Sequence, residues 1–160
     1  MVRANPFEGG SDHTPLLQFH KPGALFWHFT DVYYHTDGDR LDKVSIPELT
    51  NVGDAALVSV LTLTSADGET ARELVAETER AALARLHAEQ ALSRAAIAGG
   101  GDVAHEQDIL NTWTDYYVKA LHTMTDIEVG GSSPATLAAI AAAAARVQRA
   151  GAGAPASLAP

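Results

Sequence analysis

Residues 24–36, ALFWHFTDVYYHT, govern how the fold is read, because half of the chain's aromatic side chains fall in or beside this one run. The composition is aromatic and β-branched, which suits a pleated, half-buried surface. Asp37-Gly38 follows at once, a pair suited to the tight turn of a hairpin. Beyond it, in RLDKVSI, Arg40, Asp42, Val44 and Ile46 alternate with Leu41, Lys43 and Ser45. The reading is an antiparallel β-hairpin, with a helix over 23–35 as its rival, since periodicity alone does not separate the two. Pro47 is read as the end of this unit. Residues 56–64, ALVSVLTLT, are rich in valine and threonine and read as a short third strand.

Working outward, residues 1–23 read as an extended arm closed by a turn at Lys21-Pro22-Gly23. On the other side the sequence changes character. Residues 69–98 are almost wholly strong helix formers, stopped by Gly99-Gly100-Gly101. Asp102 can cap a helix over about 103–125. Its Ile109, Leu110, Trp113, Tyr116, Tyr117, Ala120, Leu121 and Met124 recur at three- and four-residue spacing as one stripe. Trp113, near its centre, is the expected main core residue. Ser133 as cap and Pro134 at the first helical position open a last helix through about Arg149. The closing AGAGAPASLAP is low-complexity and is expected to be disordered on its own. The expected architecture is thus α+β in a single domain over 1–160: an arm at 1–23, a β-rich part at 24–66, a two-helix part at 67–127, and a terminal helix and tail at 128–160.

Composition narrows the chemistry. With 20 acidic against 11 basic residues the net charge is −9, and no basic run is present. Polyanionic nucleic acids and anionic membrane surfaces are therefore disfavoured partners. The absence of cysteine removes disulfides, thiolate nucleophiles and cysteine metal sites. The N-terminal residues lack the apolar run of a secretory signal, and the stretch 137–145 is far shorter than the ~20 residues a membrane span needs. These features predict a protein that is cytoplasmic or held within a soluble assembly.

Among candidate sites, His28, Asp31 and His35 would share one face of a helix and offer imidazole and carboxylate ligands for zinc or iron. On a strand, His28 points away from the other two, so no metal or cofactor is favoured. His105, Asp108, Asp115 and His122 share a face of the 103–125 helix opposite its aromatic stripe and read as a solvated surface. Asp37, Asp39 and Asp42 with Glu48 imitate part of a calcium loop, but Leu41 occupies the fifth position and Asp42 the sixth, where glycine is required. Gly130-Gly131-Ser132-Ser133 is no nucleophile elbow, and the glycine triplet lacks the residues of a phosphate loop. No catalytic residue stands out.

The aromatic segment remains. Phe26, Trp27, Phe29, Tyr33 and Tyr34 would make a strand apolar on both faces, which a small chain covers only with help. These five are the candidate interface residues. The leading expectation is a non-enzymatic structural or accessory subunit of a larger protein assembly, for example a virion component, whose partners are other protein subunits or further copies of the chain. The alternatives are a small metal-dependent enzyme using the His/Asp site, and a binding protein whose aromatic segment lines an apolar pocket.

Overall fold

A computed structural model of the chain describes residues 11–19, 21, 23–26 and 31–152. Five α-helices occur among them: α1 (Thr14–Gln18), α2 (Ile46–Ser65), α3 (Gly68–Ala98), α4 (Val103–Thr123) and α5 (Pro134–Ala152). Two single 3-10 turns lie at Leu41–Lys43 and Met124–Asp126. No strand is present among the described residues, so the protein is all-α there and the α+β expectation is overturned. The chain forms two compact units, 1–56 and 57–160, which divide within α2.

The hairpin fails for a local reason. A type I′ turn needs positive φ at both central residues, and neither Asp37 nor Gly38 has it; the positive φ falls instead on His35, at 59°. Residues 31–39 are a succession of turns. The Asp31 carboxylate accepts from the Tyr33 amide at 2.8 Å, and the Tyr33 carbonyl accepts from the Thr36 amide at 3.0 Å. Within the expected arm, residues 14–18 are the short helix α1; residues 1–10 lie outside the described residues.

The third strand is also a helix. Pro47 starts α2 where the sequence reading made it a stop, because proline in a first turn gives up only an amide that has no helical partner. Ser45 caps that turn, its hydroxyl accepting from the Glu48 amide at 3.4 Å. The Ser45-x-x-Glu48 spacing is that of a capping box. Further along, the Thr64 and Ser65 hydroxyls donate to the Val60 and Leu61 carbonyls at 2.7 and 2.6 Å, which accommodates polar residues that would otherwise disturb a helix. With no neighbouring strand to pair with, a helix is the conformation in which this segment satisfies its own backbone.

In the 57–160 unit, α3, α4 and α5 pack mutually. Their boundaries follow the sequence signals. Asp67 caps α3, accepting from the Thr70 amide at 2.8 Å, and Asp102 caps α4, accepting from the Ala104 amide at 2.9 Å. Ser133 caps α5 through the Thr136 amide at 3.3 Å. Between α3 and α4, Gly100 takes φ +91°, and a Cβ on Gly101 would lie 2.9 Å from the Ala96 carbonyl oxygen. That turn requires glycine.

Val75, Ala82, Leu86, Leu121, Ile140, Ala143, Ala144 and Val147 form the core. Trp113, Tyr117 and Met124 pack against it only partly buried, and Tyr116 is exposed. The α4 stripe therefore lies on the correct face, but its centre of burial is Leu110 and Leu121, not Trp113. A wide indole has no room between helices that meet through alanine, so it lies at the rim. The last helix also runs past Arg149 to Ala152, with Gly151 buried. Residues 153–160 of the expected tail lie outside the described residues.

Leu121→Ala should cost about 2–5 kcal/mol, the range for removing a fully buried leucine, and Trp113→Ala roughly half as much. Urea denaturation of both variants checks the order. Equal or reversed costs would place the core at the aromatic stripe after all.

Candidate functional site

α2 carries the feature that the fold leaves unexplained. Ile46, Leu49, Val52, Leu57, Val58, Val60, Leu61 and Leu63 are all exposed, and α2 joins none of the packed pairs that build the bundle. Glu48 and Asp54 are its only charged residues, and 55–66 holds none. Sequence reasoning missed this surface because the segment was divided at Pro47 and its C-terminal part read as a strand. The signal was nonetheless present in the three- and four-residue spacing of Ile46, Leu49, Gly53, Ala56, Val60 and Leu63.

The residues singled out from sequence are placed as follows. Phe26, Tyr33 and Tyr34 are exposed; Trp27 and Phe29 lie outside the described residues. Tyr33 carries the Lys43 ammonium 5.1 Å from its ring centre, and Tyr34 stacks on His35 at 3.9 Å. Of the proposed metal trio, His28 is outside the described residues. Asp31 is engaged by the Tyr33 amide, and no group of three potential ligands gathers among the described residues. The expected solvated row on α4 is exposed at His105, Asp108, Asp115 and His122, with Asp115 paired to Lys119 at 2.7 Å. Asp42 pairs with Lys43 at 2.6 Å and Glu48 belongs to α2, so the calcium-loop fragment is not a loop.

Two polar arrangements bind the bundle together. Arg85 on α3 reaches the nearly buried Glu89 at 2.5 Å and holds its guanidinium 3.9 Å from the Trp113 ring centre on α4. A planar cation over an indole face is the favourable geometry for such a contact. Arg146 on α5 donates to both carboxylate oxygens of Glu79 on α3, through Nη2 at 2.7 Å and through Nε. That bidentate contact holds the Glu79 carboxyl below its usual range. Glu128 is lowered by the Thr136 hydroxyl and the Ser133 amide, and Asp67 by the Thr70 amide.

An open cavity of about 400 Å³ lies between α4 and α5, lined by Asn111, Thr112, Thr114, Asp115, Gln148, Gly151 and Ala152. Its floor is a close helix contact: a Cβ on Gly151 would come 2.1 Å from the Thr114 hydroxyl oxygen. Amides, hydroxyls and one carboxylate already paired to a lysine give it no nucleophile–base pair and no charge to select a ligand. Among the described residues, no helix is long and apolar enough to cross a membrane. No protein family, no curated protein and no solved structure matches this chain.

The three lowered carboxyls make the bundle sensitive to acid. A depressed folded-state pKa gives stability that is fully present above the unfolded value, about 4.3 for glutamate and 3.9 for aspartate. That stability is lost as pH falls through the folded value. Stability should hold from pH 7 to about 5 and fall below about 4. Glu79→Gln should flatten that fall and cost at most about 1 kcal/mol at pH 7, since Arg146 is half exposed and such pairs contribute little. Thermal melts from pH 7 to 3 read both effects. An unchanged acid slope in the variant would remove Glu79 from the account.

Proposed function

We propose that this chain is a non-enzymatic structural or accessory subunit of a larger protein assembly. One observation carries the reading: α2 exposes bulky apolar side chains over most of its circumference, while α3, α4 and α5 close a core without it. Exposed apolar side chains scattered singly need no explanation, but a continuous run of them along a 20-residue helix does. Water contact along such a helix is unfavourable in proportion to its apolar area. A partner that covers it recovers that free energy. The exposed Phe26, Tyr33 and Tyr34 add a second apolar surface within the 1–56 unit.

Charge supports a protein partner. At −9 the chain as a whole is repelled by polyanions, whereas 55–66 is neutral and offers a protein surface nothing to repel. The polar character of the α4–α5 cavity adds no competing reason to expect catalysis. Native-mass measurement on the protein recovered under mild conditions from the cells that make it tests this reading. The expected result is a discrete species heavier than the 16.8 kDa chain. A 16.8 kDa monomer there, and at all concentrations of the isolated protein, would sink it.

A further inference from the structure

The spacing on α2 defines more than a sticky surface. Ile46, Leu49, Gly53, Ala56, Val60 and Leu63 follow the alternating three- and four-residue steps of a coiled-coil seam. Four of these are large and exposed, at 67% for Ile46, 62% for Leu49, 57% for Val60 and 56% for Leu63. The two small ones fall at the midpoint. Nothing lies within 4 Å of where a Cβ on Gly53 would stand, so that side of the helix is open to close approach. Glycine is disfavoured against alanine in a helix interior, and this chain is alanine-rich. A glycine at the centre of the seam is therefore explained by what must approach it.

The seam reads nearly the same in both directions: large, large, small, small, large, large. Laid antiparallel on a second α2, Ile46 meets Leu63, Leu49 meets Val60, and Gly53 meets Ala56. Every large residue then faces a large one, and the helices come closest at their middles. The antiparallel order also separates the two Glu48 carboxylates by about 20 Å along the axis, where a parallel pair would set them level. It opposes the helix dipoles as well.

We infer that the first partner of α2 is a second copy of this chain, paired through an antiparallel, two-fold helix contact centred on Gly53 and Ala56. A two-fold interface is self-complementary by construction, which is what a palindromic seam provides. Size is adequate for a modest interface. A helix of 20 residues is about 30 Å long, and a matched strip of that length covers on the order of 500 Å² per copy. The total is near the ~1,000 Å² lower bound of a specific contact. Val58 and Leu61 lie away from the seam and stay exposed in it.

This inference rests on the assembly reading, and the test separates the two. The protein has no native cysteine, so single cysteines report proximity cleanly. Under mild oxidation, full-length Leu49→Cys mixed with Val60→Cys should give a mixed disulfide dimer, and Leu49→Cys alone should give little. Sedimentation of the unmodified chain should show a monomer–dimer equilibrium. Val60→Asp should weaken it at least tenfold while leaving the helical signal of the bundle intact, and Val58→Asp should leave it within about twofold. Efficient cross-linking of Leu49→Cys to itself would overturn the antiparallel order. Equal weakening by Val58→Asp and Val60→Asp would overturn the seam. A strictly monomeric isolated chain, including one that binds neutral lipid vesicles instead, would overturn self-pairing; a heavy native species found alongside it would leave the assembly reading standing.

Discussion

Close approach through alanine is the constraint on which this structure depends. The face that α5 turns into the bundle is Thr136, Ile140, Ala143, Ala144, Val147 and Gly151, and α3 answers with Ala71, Val75, Ala82 and Leu86. The alanines, Thr136 and Gly151 among them bury little area each, so they stabilise only if the helices come near enough to remove water along their whole length. Gly151 against Thr114 shows how near that is. The same closeness expels the aromatics. Trp113 and Tyr117 are too wide for so close a seam, and they line its rim, where Arg85 covers the indole face.

A core of this kind leaves no place for α2. α3, α4 and α5 already fill the space between them with Val75, Leu86, Leu121, Ile140 and Val147, and inserting further valines and leucines would force apart helices whose stability comes from contact. Overpacking of that sort is destabilising. The bundle thus closes on its own leucines, valines and alanines, and the apolar side chains of α2 are left for a different contact. Polar ties at the rim, Glu79 to Arg146 and Gln90 to the Ala150 carbonyl at 3.3 Å, fix the register of a surface that alanine alone specifies weakly.

That division explains which parts of the molecule were legible in its sequence. α3, α4 and α5 were, because their strong helix formers, Asp102, Ser133 and the glycines after α3 act locally, through propensity, caps and turns that hold whatever the tertiary context. α2 was not. Its valines and threonines carry a strand preference that exists only where a neighbouring strand is available, and the turns at 31–39 supply none. Pro47 was ambiguous for a similar reason: it ends a helix that precedes it and begins one that follows it. Only the pairing of Ser45 with Glu48 tells which. Gly151 read as part of a tail because its reason for being glycine, Thr114, is 37 positions away in sequence. The aromatic run at 24–36 drew attention to exposed apolar surface in the chain, but the neighbouring aliphatic run holds the better-ordered pattern.

Gly53 shows how far such reasoning extends. In Gly151 a missing Cβ is matched by a neighbour that fills the space, and the contact is internal. In Gly53 the same economy of side chain faces open space, at the centre of a stripe whose ends are large and exposed. A glycine needed for a turn would show positive φ, as Gly100, Gly130 and Gly131 do; Gly53 is helical and does not. A glycine tolerated by accident would be at no particular place in the pattern, yet this one lies midway between Leu49 and Ala56 on the seam. What remains is the role Gly151 already plays in the bundle, with the facing helix supplied from outside the chain.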